Sequence, residues 1–252
     1  MNSEVVEYSA TRIALVVPSY NESEALAVFL RELLPLLPED AAIIIADDSN
    51  PEISAIIQGQ IEEVNIDEGR QIFFDCADVK TGRGAAVKRG MKLAVKNFPN
   101  LEFVIECDAD GSHTPKDVLS VIQHAPKCDL VIGSRYLAQS KISNWPLLRK
   151  VFSRILNFVI PRILAIPIKD ITNGLRRYSI DASKLLISVE SMNSGFVYLS
   201  EQASIIQKAN FSICETPIHF VNRVLGESTV TSKEVFESII GIRKIVQAKR
   251  DQ

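Results

Sequence analysis

Cysteine is scarce and unpatterned in this chain: four residues, at 76, 107, 128 and 214, with no C-x-x-C spacing and no histidine at zinc-ligand spacing. That excludes a zinc ribbon or a thioredoxin-like motif, and predicts small buried apolar thiols of a reducing compartment. No Ser-His-Asp or Cys-His set can be assembled, which argues against triad chemistry. His113 reads as a lone exposed histidine, incidental to catalysis. Bilayer-spanning runs are also missing, because the most apolar region, 155–168, is broken by Pro161, Arg162 and Pro167. The opening residues are polar and acidic, unlike a secretory leader, and predict a flexible tail over 1–11. Pro18-Ser19-Tyr20 follows the first apolar run in place of a Gly-rich phosphate loop, which argues against a sugar-nucleotide pyrophosphorylase. Aromatic residues do not interleave with the basic ones, so nucleic acid is not an expected partner. Repeats, linkers and low-complexity tracts are absent, and residues 12–252 read as one domain closed by an amphipathic helix.

Acidic residues are missing from a whole segment. None occurs from Leu130 to Lys169, where Arg135, Lys141, Arg149, Lys150, Arg154, Arg162 and Lys169 all lie. A second basic cluster, Arg243, Lys244, Lys249 and Arg250, closes the chain. This asymmetry points to an anionic partner for the later half: phosphate, a membrane surface or nucleic acid.

What is present centres on Glu106-Cys107-Asp108-Ala109-Asp110-Gly111-Ser112-His113-Thr114-Pro115. The apolar run Leu101–Ile105 reads as a buried strand ending in two carboxylates one residue apart. In extended chain such residues point the same way, so Asp108 and Asp110 can converge on a hard cation, Mg²⁺ or Mn²⁺. Similar strands are expected at Ile13–Val17, Ala41–Ala46, Gln71–Phe74 and Asp129–Gly133, with helices between them. Apolar strands alternating with helices predict a parallel sheet covered on both faces, with functional groups at the strands' carboxyl ends. Tyr20-Asn21-Glu22, Asp47-Asp48 and Asp108-Asp110 all fall at such ends. After Asn144-Trp145-Pro146 a helix is expected, with Leu148, Val151, Phe152, Ile155 and Val159 on one face and Arg149, Lys150, Ser153, Arg154 and Asn157 on the other. Such a helix suits either core packing or a membrane surface. Further expectations are a helix over Gly195–Ala209, a strand over Phe211–Phe220 and a terminal helix over Ser232–Ala248.

The motifs V-V-P-S-Y-N-E (16–22), I-I-I-A-D-D-S (43–49), G-R-G-A-A-V-K-R-G-M (82–91) and E-C-D-A-D-G-S-H-T-P (106–115) resemble, in order, family-2 glycosyltransferases of the GT-A fold. V-I-G-S-R-Y (131–136), D-I-T-N-G-L-R-R-Y (170–178) and P-I-H-F-V-N-R-V-L-G-E-S (217–228) resemble the dolichyl-phosphate mannosyltransferases, in the single-domain form without transmembrane helices. The resemblance implies an α/β GT-A fold and an inverting transfer of a sugar, mannose from GDP-mannose first among the candidates, onto a polyprenyl phosphate. It implies a nucleotide-sugar pocket lined by Pro18, Tyr20, Asn21, Glu22, Asp47, Asp48, Gly82, Arg83 and Asp108, and a Mg²⁺ or Mn²⁺ site at Asp108, Asp110 and Ser112. Arg135, Arg149 and Ser153 would meet the acceptor phosphate, and Arg223 would join Asp108 and Asp110 in catalysis at the donor phosphates. The expected setting is the cytoplasmic face of a membrane, bound peripherally or through an anchored partner subunit. Ser49-Asn50-Pro51-Glu52 and Thr229 depart from the family pattern. They keep open a UDP-glucose or UDP-N-acetylhexosamine donor, a saccharide acceptor, or a non-catalytic sugar-nucleotide-binding subunit.

Overall fold

The computed structural model describes residues 9–68, 70–124, 128–191, 193, 197–222 and 240–247. Strand β1 (Ile13–Ser19) is buried along its whole length, as is β2 (Ala41–Asp47) beside it in parallel register, Ile13 facing Ala41 and Ser19 facing Asp47. Helix α1 (Ser23–Leu33) joins them and buries Leu26, Phe29, Leu30 and Leu33, the stripe expected from its period. Then follow α2 (Pro51–Glu68), the half-exposed edge strand β3 (Ile72–Cys76), α3 (Arg83–Asn97), β4 (Phe103–Glu106), α4 (Pro115–Ile122) and β5 (Leu130–Ser134). A short strand β6 (Lys141–Ser143) precedes α5 (Leu147–Ile163). The remainder is β7 (Arg176–Ser179), α6 (Ile180–Ser188), α7 (Tyr198–Lys208), β8 (Ile213–Pro217) and β9 (His219–Val221).

The strands form a seven-stranded sheet in the order β3-β2-β1-β4-β7-β5-β8, and β6 pairs with β9 apart from it. Strand period two divides the core: Ile13, Leu15 and Val17 face α1, α2 and α4, while Ala14 and Val16 face the side of α3, α6 and α7. The predicted strand over Phe211–Phe220 is two strands, since β8 stays in the large sheet and β9 leaves it for β6. The sheet is mostly parallel, and β7 is its exception, antiparallel to both β4 and β5.

Strand β7 was not expected, because Arg-Arg-Tyr-Ser lacks an apolar signature. Its arginines are buried all the same. Arg176 donates to the carbonyls of Asn173, Ile171 and Leu199 at 2.9, 2.6 and 2.7 Å. Burial nonetheless pushes its pKa below the ordinary arginine value. Arg177 caps the end of α4 through the carbonyls of Ile122 and His124 and lies over the Phe103 ring.

Two further expectations are corrected. Cys128 and Cys214 form a disulfide, their Cα atoms 6.0 Å apart, because the register of β8 on β5 sets Cys214 beside Val131. Cys76 and Cys107 are the free thiols, the first exposed and the second buried. His113 is buried rather than exposed, at 1%.

Candidate active site

The carboxyl ends of β1, β2 and β4 open onto one cleft. The loop after β1 is pinned to the loop after β2: Asp48 N–H donates to the Ser19 carbonyl at 2.9 Å, and Asn21 N–H to Ser49 Oγ at 2.8 Å. Asp47 is buried and accepts from the hydroxyls of Ser49 and Ser54 at 2.7 and 2.5 Å. Asp48 is buried too, accepting from Thr81 N–H at 2.8 Å, Gly82 N–H at 2.7 Å and Arg89 at 3.1 Å. Asp48 therefore sets where α3 begins, while Asp47 ties the loop after β2 to α2. Ser49, a departure from the family pattern, is part of that loop. Pro18 is buried in β1 and Glu22 stands at the N-cap position of α1 without a side-chain capping bond, while Tyr20 is exposed and carries the Lys80 ammonium 3.6 Å from its ring centre.

At the end of β4 the acidic turn is held from several sides. Gly111 takes a left-handed φ of 72°, a conformation costly for any residue with a Cβ. Ser112 N–H donates to Asp110 Oδ1 at 3.0 Å, and the Ser112 carbonyl accepts from Val221 N–H of β9 at 3.1 Å. Thr114 and Asp117 form a reciprocal capping box that starts α4. The buried His113 ring accepts from Asp108 N–H at Nδ1, 3.5 Å away, so its Nε2–H is the donor to Asn173 Oδ1 at 3.0 Å. Asn173 in turn donates to the Gly133 carbonyl at 2.5 Å. Burial pushes the neighbouring Cys107 thiol well above its ordinary pKa, so it is not a thiolate.

The donor set fits a hard divalent cation. Asp108 and Asp110 are half-buried carboxylates on one turn, and Ser112 Oγ is buried without a hydrogen-bond partner among the described residues. No group of three or more His, Cys, Asp or Glu able to hold a metal occurs among the described residues. Such a site must borrow its remaining ligands from water or phosphate, as Mg²⁺ and Mn²⁺ do.

Arg83, the first residue of α3, reaches into this turn. Its Nε and Nη2 donate to Asp108 Oδ1 at 2.9 and 2.5 Å, and Nη1 contacts Glu106 and the Tyr198 hydroxyl. Glu106 is fully buried, and its other oxygen lies 2.9 Å from the Tyr178 hydroxyl.

The basic segment divides into two uses. Arg135 is buried and grips Asp170 with backbone N–H, Nε and Nη2 at 2.9, 2.8 and 2.8 Å. Burial opposes both charges, yet their mutual attraction wins: Arg135 is raised above and Asp170 lowered below its ordinary pKa. Its guanidinium is thus engaged by Asp170, an internal partner that the acid-free stretch 130–169 conceals. Arg149 and Ser153 face the fold from α5. Arg149 stacks over Trp145 and donates to Asn222 at 2.9 Å, while Ser153 Oγ accepts from the Tyr136 hydroxyl at 2.7 Å. Asn157, one turn on, is buried and bonds Thr172 and the Ile171 N–H, both at 2.8 Å. Arg223 and Thr229 lie outside the described residues.

Sequence reasoning gave no role to Glu106, Asp170, Asn173, Gly174 or Tyr198. The first four stand inside motifs already singled out, E-C-D-A-D and D-I-T-N-G, and that was the available signal.

The glycosyl transferase family 2 profile matches residues 14–186. Undecaprenyl-phosphate mannosyltransferase of Micrococcus luteus is 31% identical over 237 residues, covering 92% of this chain and 93% of that protein. Polyprenol monophosphomannose synthase of Mycolicibacterium smegmatis is 26% identical over 232 residues, covering 92% of this chain and 85% of that protein. Among solved structures, glucosyl-3-phosphoglycerate synthase of Mycobacterium tuberculosis with Mn²⁺, UDP and glucosyl-3-phosphoglycerate superposes with a TM-score of 0.63 at 15% identity, covering 98% of this chain and 85% of that one. The same enzyme with Mg²⁺ and UDP gives 0.62 at 13%, with the same coverage. At those identities the likeness bears on the fold, which is GT-A. The match over most of its length, joined to the acidic turn at the strand edge, means that this chain belongs to glycosyl transferase family 2 and is a glycosyltransferase.

Proposed function

We propose that this chain transfers a hexosyl group, mannose from GDP-mannose by preference, to the phosphate of a membrane-borne polyprenyl lipid, inverting the anomeric carbon. The observation that carries this reading is the orientation of α5. Arg149, Ser153 and Asn157 turn inward, while Leu148, Val151, Phe152, Ile155 and Phe158 are exposed, Leu148 at 85% and Phe158 at 60%. Phosphate-binding groups on one side of a helix and an unpartnered apolar side suit an acceptor whose head enters a cleft and whose tail stays in lipid. The names of the two mannosyltransferase relatives support the same acceptor and sugar.

A phosphate monoester has a second pKa of about 6, so at neutral pH it is largely dianionic and needs no general base. One of its oxygens bonds to the anomeric carbon as the bond from that carbon to the donor diphosphate breaks, and the electron pair leaves with the diphosphate. Arg149 and Ser153 bind and orient the acceptor phosphate. Asp108, Asp110 and Ser112 would hold Mg²⁺ or Mn²⁺, which neutralises charge on the leaving diphosphate. Pro18, Tyr20, Asn21, Glu22, Asp47, Asp48, Gly82 and Arg83 form the nucleotide side, and Arg223 is assigned to the diphosphate by motif alone. His113, with both ring nitrogens engaged, positions the acidic turn.

Purified protein supplied with labelled GDP-mannose and a short polyprenyl phosphate is expected to move label into the lipid. Arg149→Ala is expected to raise the acceptor KM by about tenfold, the scale of one lost charge-assisted hydrogen bond, with the donor KM nearly unchanged. Equal rises in both constants remove Arg149 from the acceptor site. Label moving only from UDP-glucose or UDP-N-acetylhexosamine replaces the donor. Absence of label from the lipid with every one of these nucleotide sugars overturns the polyprenyl-phosphate acceptor.

A further inference from the structure

The carboxylate proposed to receive the metal already carries a cation. Arg83 bonds Asp108 Oδ1 through two nitrogens while its third contacts Glu106 and the Tyr198 hydroxyl. The slot is shaped around this side chain. A Cβ on Gly174 would run into Arg83 Nη2 and stand 3.2 Å from Asp108 Oδ2. Gly174 has no left-handed φ, and the contact there is with the far end of Arg83, which would have to shift to admit a Cβ. The two carboxylates that Arg83 touches are unlike. Glu106 has no exposed side-chain surface, whereas Asp108 is 29% exposed and faces the cleft. The bond to Asp108 is therefore the one that an incoming anion can displace.

We propose that Arg83 is a displaceable plug on the cation site, which neutralises Asp108 until a nucleoside diphosphate draws the guanidinium away. The plug rests on the reading of Asp108 and Asp110 as cation ligands. Both Arg83 bonds fall on Asp108 Oδ1 and neither on Oδ2. The guanidinium nonetheless repels a divalent ion and cancels the charge that would hold it, so the site is weak while Arg83 stays. A diphosphate offers Arg83 a bidentate, charge-assisted partner in exchange. Cation and nucleotide then bind with positive coupling, and linkage makes the coupling equal in both directions. The chain would take up its cation together with the donor and hold it weakly alone.

Mn²⁺ binding to the full chain, followed by the free-ion signal in electron paramagnetic resonance, tests this without turnover. Wild type is expected to bind Mn²⁺ weakly alone and more tightly with GDP or UDP. Arg83→Gln is expected to bind Mn²⁺ alone about fivefold more tightly, the scale of a partly screened ion pair. The same variant is expected to bind the metal-free diphosphate more weakly, which shrinks the coupling. Gly174→Ala obliges Arg83 Nη2 to shift from its seat but keeps the charge, and is expected to tighten Mn²⁺ alone as well. Arg83→Lys is expected to restore much of the wild-type exclusion. A merely structural Arg83 would lower both affinities together. Folded Arg83→Gln and Gly174→Ala proteins that bind Mn²⁺ no better than wild type, while diphosphate still promotes Mn²⁺ binding to wild type, overturn the plug and leave the cation site standing. Wild type that binds no Mn²⁺ with either diphosphate overturns both.

Discussion

Arg135 and Asp170 form the most deeply buried ion pair among the described residues, and the pair gives a residue singled out by its motif an internal partner. Thirty-five positions separate them, and nothing in either local pattern announces the contact. The motif around Arg135 points to phosphate, whereas burial demands a carboxylate partner and Asp170 supplies it. Asp170→Asn leaves a guanidinium buried without its counter-charge, and is expected to cost about 3–5 kcal/mol, read from denaturant unfolding. The pair also sets a pH dependence. Asp170 titrates lower folded than unfolded, so below about pH 4 the unfolded chain binds the extra proton and stability falls as pH falls. Arg135→Leu should remove that increment of acid sensitivity, measured as the melting temperature against pH. By contrast the place of Asp108, Asp110 and Ser112 was legible, because an apolar run ending in carboxylates marks a strand's carboxyl end, although both aspartates lie in the turn after β4 and not in extended chain.

Helix α5 was legible as a helix but not in its facing. Its 3.6-residue stripe of leucine, valine, isoleucine and phenylalanine reads equally as core or as membrane surface, and only the packing of Asn157, Ile160 and Pro161 inward decides. The stripe points out. Leu148→Ser combined with Phe158→Ser removes apolar surface that no core residue covers, so the melting temperature should hold while flotation with anionic liposomes at low salt is lost. Wild type is expected to float and to be released at high salt, because Lys150 and Arg154 flank the stripe and surface charges are screened within about a Debye length. Wild type that stays with the soluble fraction sinks the membrane contact. Strands β1 and β2 were easy to place because both faces are apolar, whereas β7 was hidden: Arg176 is bound by three carbonyls and Arg177 by two, through Nη1 alone, an arrangement that hydropathy cannot register.

Across the whole molecule, a sheet with a core on each face brings the acidic turn and the loops after β1 and β2 to one edge. Polar clusters at the strands' carboxyl ends followed from the alternation of apolar strands with helices; the strand order did not. The antiparallel insertion of β7 and the Cys128–Cys214 bond were beyond reach, since each depends on which distant strands become neighbours. No helix among the described residues is long and apolar enough to cross a membrane. Of the expected terminal helix over Ser232–Ala248, residues 232–239 and 248 lie outside the described residues; residues 240–247 are helical and belong to the fold, with Ile245 3% exposed and Ile242 and Val246 packed on the core beside α6 and α7. Deleting 241–252 is therefore expected to lower the melting temperature, by circular dichroism, whatever it does to liposome binding. The outward stripe of α5 has one more consequence on the proposed reading. A protein resting on lipid finds a lipid acceptor by lateral diffusion in two dimensions, and the acceptor's effective concentration is set by its surface density, not by the volume of solution. Measured turnover should then follow the mole fraction of acceptor in the bilayer, and diluting the vesicles at fixed composition should leave it unchanged.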